Sequence, residues 1–381
     1  YLVAGQLNHK ALKWDTKANP LDDTPTSASP SVGGDLTRFD AGQDASALPE
    51  NYLLFGAWKQ IYDGSNQGYT GYFKHPGYWD KGNNAPNDPV TGKPDPNAPN
   101  DLLGMNGTLN FSREKLIASM DFYTKNNQPV ETHTNGSWAA EDYMTAIELA
   151  IANHPDAKDL RHTFIHGQME ERQIVERSIG KYDELDSTAN MYSDLSGTAR
   201  QEGTDTDANG KAWTASELRA ALKNGKLIKD QNLVSSYFIN HTYFWGDRHY
   251  EMFLGQDRAE RISPLRSALK RGIPFSNHND TFVTPIDPLL SVWSAVNRRT
   301  SGGRILGENQ TIPVMDALRS VTSWAAYQAC EERIKGSLEP GKLADFVILE
   351  ANPLTVAKET IKDIGISATI VGDEVVYGSL D

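Results

Sequence analysis

The chain has few of the features that would narrow its class at once. It contains one cysteine, Cys330, so no intramolecular disulfide can form and the redox compartment stays open. The apolar pattern VMDALRSVTSWAAYQAC predicts that Cys330 ends a helix as a buried residue. No apolar run reaches about 18 residues, so we expect no membrane-spanning helix and no membrane partner. The chain starts at Tyr1 without a visible targeting pattern, which leaves its localisation undetermined.

Basic residues are also scarce. The 381 residues include 37 Lys and Arg against 50 Asp and Glu, which gives a net charge of −13 and a pI near 5.2. Nucleic acids and anionic membranes attract proteins through clustered positive charge. We therefore expect no nucleic-acid partner, and a soluble protein whose partner is a small-molecule substrate.

The composition divides the chain into three parts. Residues 1–50 are polar and rich in Pro, Asp, Ser and Thr, which is typical of a lead-in segment and not of a packed core. Residues 51–335 alternate strand and helix patterns, whereas residues 336–381 contain Val- and Ile-rich strands separated by turns. A proline-rich stretch, residues 76–104, predicts an excursion loop inside the middle part.

The alternation in residues 51–335 predicts an α/β fold of the (β/α)₈ TIM type. The strand PVETHTN is followed by the helix AAEDYMTAIELAIANH and then by the strand RHTFIHG. His133 and His166 end these two strands and lie 33 residues apart. One strand–helix–strand unit takes about 30 residues. The spacing therefore places both histidines at equivalent ends of neighbouring parallel strands.

The candidate chemistry comes from polar residues at strand ends. His133, His166 and Asp280, in PFSNHND, all have that placement. Two imidazoles and a carboxylate suit Zn²⁺ or another first-row divalent ion. His278 lies two residues before Asp280 on the same face of the strand. It could be a metal ligand, but we favour the interpretation that it packs beside the ligands or supports them.

Three further residues are candidates for substrate binding, together with His278. His241, Trp245 and Asp247 belong to HTYFWGDRH, which we interpret as an aromatic loop after a strand. A competing metal site is the segment DTDANGK, in which Asp205, Asp207 and Asn209 have Ca²⁺-loop spacing. The glutamate needed at position twelve is displaced by one, and Thr214 with Glu217 is better interpreted as a helix capping box.

Several long segments resemble the amidohydrolase superfamily, and specifically the amidohydrolase-3 group of metal-dependent hydrolases. The resemblance spans about residues 50–381 and rests on these segments: KQIYDGSNQGYTG, ETHTNGSWAAEDYMTAIE, RHTFIHGQ, INHTYFWGDRH, RISPLRSALKRGIPFSNHNDTFVTPIDPLLSVWSAVNRRT and KGSLEPGKLADFVILEANPLTV.

The resemblance implies roles that the residues alone do not give. Lys59 would be the strand lysine that can be carboxylated and bridge two metal ions, whereas chemistry alone would leave it facing solvent. His133 and His166 would bind one or two divalent ions, with zinc the expected metal. Asp280 would bind metal and the attacking water. The implied reaction is hydrolysis of a non-peptide C–N bond, such as an amide or cyclic amide, through a metal-activated water.

The sequence also departs from the family pattern. The His-x-His pair expected on the first barrel strand has no counterpart, and neither does the N-terminal half of the β domain. We therefore expect only the later barrel strands and the C-terminal part of a composite β-sandwich. Two alternatives stay open: a non-catalytic binding or regulatory protein on this scaffold, or a fragment that needs a complementary N-terminal segment. A homo-oligomer is a further expectation.

Overall fold

The computed structural model describes residues 57–74, 77–79, 106–182 and 205–380. The polar lead-in, and all but three residues of the proline-rich segment, lie outside these ranges. The strands are β1 (Trp58–Ile61), β2 (Val130–His133), β3 (Thr163–His166), β4 (Asp205–Thr206), β5 (Ala212–Trp213), β6 (Val234–Tyr237), β7 (Phe275–Asn277), β8 (Phe346–Leu349), β9 (Ile366–Val371) and β10 (Glu374–Gly378).

Eleven α-helices connect or cover these strands within the described residues. They are α1 (Arg113–Lys125), α2 (Ser137–Asn153), α3 (Arg172–Ser178), α4 (Ala215–Ala221), α5 (Lys226–Lys229), α6 (Asn240–Arg248), α7 (Gln256–Ala259), α8 (Leu265–Arg271), α9 (Pro288–Asn297), α10 (Val314–Ser320) and α11 (Ser323–Gln328).

A five-stranded parallel sheet positions the candidate site. Its order is β1-β2-β3-β6-β7, and each neighbouring pair is parallel. Helices connect successive strands, so the carboxyl ends of all five strands meet at one edge. The predicted α/β fold is confirmed, since this sheet has the strand–helix alternation of part of a (β/α) barrel.

The register aligns the ends of the strands. Ile61 pairs with His133, His133 with Ile165, and His166 with Tyr237. Because side chains alternate between the two faces of a strand, Glu131 and His133 lie on the same face of β2. The histidine spacing seen in the sequence therefore does place both rings at one end of neighbouring strands.

Apolar helices cover the outer face of the sheet. In α1, Leu116 and Met120 are fully buried against α2, and nearly every residue of α2 is buried too. Burial of each such large apolar side chain contributes about 1.5–3 kcal/mol. The helix α1 starts where Ser112 accepts a hydrogen bond from the backbone N–H of Lys115. A second apolar cluster joins β6 and β7 to α9 and α10.

A separate antiparallel sheet of three strands, ordered β10-β9-β8, follows the parallel sheet. It contains the Val- and Ile-rich strands that the sequence predicts as a small β domain. Among the described residues, no helix is long and apolar enough to cross a bilayer.

Two local predictions were wrong. The pattern before Cys330 is not one helix, because it breaks between α10 and α11, and Cys330 follows α11 with a positive φ of 60° and a partly exposed side chain. The aromatic segment HTYFWGDRH lies in α6, which continues as a π-helical turn, His249–Phe253, and is not a loop.

Candidate functional site

The site forms where β1, β2 and β3 end. The imidazole rings of His133 and His166 lie edge to face with their centroids 4.3 Å apart. His166 is buried, whereas the His133 side chain retains 14% exposure. Solvent therefore contacts part of the His133 side chain but little of His166.

Asp63, two residues after β1, holds this end of the sheet together. Its fully buried carboxylate accepts a hydrogen bond from His133 Nδ1 at 2.8 Å. The backbone N–H groups of Asn135, Gly136 and Tyr72 also donate to it, at 3.0, 2.8 and 3.0 Å. Since a carboxylate accepts and does not donate, His133 carries its hydrogen on Nδ1. The Nε2 lone pair of His133 is then directed away from Asp63.

His278 holds the second ring. Its Nε2 lies 3.0 Å from His166 Nδ1, and its own Nδ1 lies 2.8 Å from Ser236 Oγ. Burial lowers the pKa of His166 well below its ordinary value, and the nearby charges of His133 and His278 lower it further. Burial also lowers the pKa of His278, to about 3. Burial therefore disfavours the protonated form of both rings, and the buried His278 contacts the ring of His166 directly.

Lys59 and Asp280 lie beside the two rings. Burial raises the pKa of the Asp280 carboxyl, and the charges of His133 and Lys59 act against that rise. Desolvation lowers the pKa of the Lys59 ammonium, whereas the charges of Glu131 and Asp280 act to raise it. The Lys59 side chain is exposed on the edge strand β1, so solvent weakens all of these effects. Lys59 and Asp280 therefore lie within electrostatic range of each other.

The backbone at two of these positions is strained. His166 has φ 71° and Asp280 has φ 49°, in the left-handed region that non-glycine residues rarely adopt. Such a conformation costs on the order of 1–3 kcal/mol and persists where the surroundings fix it. Two of the three strand-end residues that the sequence assigns to metal, His166 and Asp280, therefore carry this strain, whereas His133 does not.

The three other predicted substrate residues occupy different environments. His241 is buried, with its ring 4.1 Å from Phe238 and 6.2 Å from His166 between centroids, and its Nδ1 has no hydrogen-bond partner. Trp245 packs edge to face on His241. Asp247 accepts hydrogen bonds from Arg304 Nε and Gly302 N, so it fastens a turn on the far end of α6.

The donor set fits part of a divalent metal site. Both imidazoles have Nδ1 engaged, by Asp63 and by His278, which leaves Nε2 as the ligand atom of each ring. A carboxylate that orients a ligand histidine is a common arrangement around protein metals. Among the described residues, however, no three His, Cys, Asp or Glu side chains already converge on one point. His133 and His166 would hold the ion, with Asp280 and Lys59 adjacent.

The calcium alternative does not gain support. Asp207 Oδ1 accepts hydrogen bonds from the backbone N–H groups of Asn209 and Lys211, which closes a turn. Asp207 Oδ2 accepts from the Trp213 indole N–H. Thr214 and Glu217 form the predicted capping box at the start of α4.

Sequence reasoning missed the residues that orient the two rings. Asp63 ends the apolar run of β1 in an Asp-Gly turn, which is the same kind of strand-end position that identified the histidines. Ser236, which contacts His278 Nδ1, has no such signal, because a serine in a strand is common. Its contact depends on which strands become neighbours.

Comparison with known proteins shows which family part of this chain matches. The sequence model of the amidohydrolase family, Amidohydro_3, matches residues 207–377. YtcJ of Bacillus subtilis strain 168, which has a provisional amidohydrolase name, is 23% identical over 342 residues, 89% of this chain and 50% of that protein. N-substituted formamide deformylase of Arthrobacter pascens is 27% identical over 128 residues, 33% of this chain and 23% of that protein.

A solved structure shares the fold. The crystal structure of an uncharacterized metal-dependent hydrolase from Pyrococcus horikoshii OT3 superposes with a TM-score of 0.52 at 20% identity, covering 82% of this chain and 47% of that one. The chain thus spans about half the length of the proteins that it matches along most of its sequence. Residues 207–377 of this chain match the amidohydrolase family, Amidohydro_3, and most of its length is similar to an amidohydrolase-type protein.

Proposed function

We propose that the chain carries the metal-binding half of a hydrolase that cleaves non-peptide C–N bonds, in amides or cyclic amides. The observation that carries the proposal is the pair His133 and His166, with rings 4.3 Å apart and both Nδ1 atoms engaged. The family match supports hydrolysis, and the name of the Arthrobacter pascens relative supports amide substrates.

The metal centre is the first part of the proposal. His133 and His166 would bind a divalent ion, with zinc as the preferred metal because imidazole suits it. When bound, such an ion supplies a Lewis acid that polarises a carbonyl and acidifies water. Lys59 would bind as its carbamate, and a lowered pKa favours that because the neutral amine is the form that adds CO₂.

Proton transfer is the second part. Asp280 would take the proton of the attacking water and deliver it to the leaving nitrogen. The burial that raises its pKa makes the carboxylate a stronger base than an exposed aspartate. Trp245 and His241 would form an aromatic wall beside the site, as in many small-molecule pockets.

The test uses metal-loaded protein and a panel of N-formyl amines, cyclic amides and dipeptides. We expect turnover of the first two classes. Asp280→Asn should lose on the order of 10²-fold or more, because an amide cannot accept the proton. His154→Ala is the control, since His154 bonds to Asp121 outside the site. Near-wild-type turnover by Asp280→Asn would exclude the assigned role, and a preference for dipeptides would exclude the substrate class.

The alternative function is binding or regulation without catalysis on the same scaffold. The observation that favours it is the absence of three converging ligands among the described residues. Under this alternative the chain folds equally well without metal and turns over none of the panel. Stoichiometric metal together with turnover would exclude it.

A further inference from the structure

The turn that follows β3, residues 166–170, packs on a buried carboxyl group of its own, that of Glu170. We call these five residues the β3 turn. Its first two residues, His166 and Gly167, adopt left-handed backbone conformations, with φ 71° and 48°. A Cβ atom on Gly167 would lie 2.5 Å from Glu170 Oε1, so the carboxyl touches the backbone of the turn. A strained turn persists only where its surroundings fix it, and Glu170 is part of those surroundings.

The contacts of Glu170 are those of a protonated acid. The hydroxyl groups of Ser235 and Tyr237 both donate to Oε2, at 2.9 and 2.8 Å. A carbonyl oxygen has two lone pairs and can accept both hydrogens. Oε1 is buried and has no hydrogen-bond partner among the described residues. An ionised carboxylate carries its charge on both oxygens, so this arrangement would leave one charged oxygen buried without a donor.

No counter-charge neighbours Glu170 within the described part of the chain. The groups that shift its pKa are the two hydroxyls, and burial acts against them. Tyr237 is the titratable group that faces it from β6, and burial raises the pKa of Tyr237 well above its ordinary value, so it stays a neutral donor. Glu171, next in the chain, pairs with Lys74 at 2.7 Å instead. Burial dominates and raises the pKa of Glu170 from 4.5 to about 8.

The β3 turn also joins three other segments near the site. Asn66 Nδ2, in the loop after β1, donates to Gln168 Oε1 at 2.5 Å. Gln168 Nε2 lies 3.0 Å from His249 Nε2 in the π-helical turn. The backbone N–H of Ser263 donates to the carbonyl oxygen of Gln168 at 2.9 Å. Movement of the β3 turn would therefore break these contacts and free the backbone at His166.

We propose that Glu170 is a pH-sensitive switch under the β3 turn: its protonated carboxyl holds the turn in place, and its ionisation releases the turn together with His166. The latter consequence for a metal site rests on the proposed function, whereas the release of the turn does not. No other residue of the proposed mechanism takes part in the titration.

Linkage gives the direction of the effect. The carboxyl would have its ordinary pKa of 4.5 in the released turn, whereas the pKa is about 8 in the closed turn. Between these two values, opening the turn releases one proton. The opening constant should therefore rise about tenfold per pH unit over this range and become constant above about pH 8. The closed turn is thus most stable below about pH 4.5.

Amide hydrogen exchange of the metal-free full chain measures this opening. Ser263 N–H is the probe, because it bonds to a carbonyl of the β3 turn but lies outside it. Exchange from an opening that does not depend on pH accelerates about tenfold per pH unit through hydroxide catalysis. Between about pH 5 and pH 7.5 we expect Ser263 to accelerate about a hundredfold per pH unit, since opening adds its own factor of about ten.

Two variants and a second amide are the controls. Glu170→Gln keeps the shape of the acid and cannot ionise, so its acceleration at Ser263 should fall to about tenfold per pH unit. Glu308→Gln changes an exposed glutamate and should behave as the wild type. The control amide is Glu350 N–H, which donates to Gly365 O at 2.9 Å beside the separate antiparallel sheet. It should accelerate about tenfold per pH unit in all three proteins.

The wild-type result alone can overturn the proposal, even if Glu170→Gln does not fold. An acceleration of about tenfold per pH unit at Ser263 in the wild type would do so. A hundredfold acceleration that persists in Glu170→Gln would also overturn it, and the same acceleration at Glu350 would show that the whole chain opens as one unit. Lack of hydrolysis would contradict the proposed function and leave these results intact, because the exchange experiment contains neither metal nor substrate.

Discussion

Replacing Asp63 should weaken the fold and the site together. Its carboxylate accepts four hydrogen bonds: Oδ1 accepts from His133 Nδ1 and Asn135 N, and Oδ2 from Gly136 N and Tyr72 N. In Asp63→Asn, one of these oxygens becomes an NH₂ group that faces two donors. If the NH₂ group faces Gly136 N and Tyr72 N, two hydrogen bonds are lost. If it faces His133 and Asn135, at least one is lost, since His133 Nδ1 can change tautomer and accept.

The magnitude follows from the buried donors left unpaired. Each buried N–H left without a partner costs about 1–3 kcal/mol, so the loss of one or two in Asp63→Asn should lower the free energy of unfolding by about 1–6 kcal/mol. Asp63→Ala should cost more, since it leaves all four donors unpaired. The control is Asp316→Asn, which breaks a surface pair with Arg319 and should cost less than about 1 kcal/mol.

Urea unfolding followed by tryptophan fluorescence measures this effect. A free energy of unfolding for Asp63→Asn within about 0.5 kcal/mol of the wild type would refute the reasoning, because surface-like substitutions fall in that range. So would an equal loss in Asp316→Asn. The variant should also release His133, and NMR of its ring nitrogens would then show both tautomers.

Three further predictions concern other parts of the chain. Burial raises the pKa of Glu170 from 4.5 to about 8, so the stability that its protonated form contributes is full below about pH 4.5 and is lost as the pH rises towards 8. The wild type should therefore lose on the order of a few kcal/mol in free energy of unfolding between pH 5 and pH 8, measured in urea. In Glu170→Gln this pH-dependent loss should disappear. Lys59→Met should abolish a carbamate signal in ¹³C NMR of metal-loaded protein equilibrated with ¹³C-bicarbonate, and absence of that signal from the wild type would contradict carboxylation. Thr214→Ala should destabilise the chain by about 1 kcal/mol, measured by thermal unfolding, because it removes the α4 capping box, whereas Thr214→Ser should not.

The sequence was sufficient for the features that depend on local pattern and spacing. The strand–helix alternation predicted the parallel sheet, and the 33 residues between His133 and His166 predicted neighbouring strand ends. The capping box at Thr214 was equally visible, since a helix start depends on residues four positions apart at most.

The remainder depends on contacts between distant segments. Ser236 contacts His278 because β6 packs beside β7, and Gln328 contacts Glu131 because α11 returns towards β2; no local pattern encodes either contact. The segment around Trp245 looked like a loop because its aromatic and polar residues lack a helical apolar stripe. Its helix α6 packs against α9 and the π-helical turn, so tertiary contacts stabilise what propensity alone does not.

Metal stoichiometry of the two-histidine site tests the central claim most directly. The purified chain is stripped with a chelator, dialysed against Zn²⁺ and analysed by mass spectrometry of its metal content, with His133→Ala, His166→Ala and the control His154→Ala beside it. The account predicts one or two ions in the wild type and in His154→Ala, and at least one ion fewer in each of the other variants. Equal zinc in all four proteins, or none in the wild type, would contradict it.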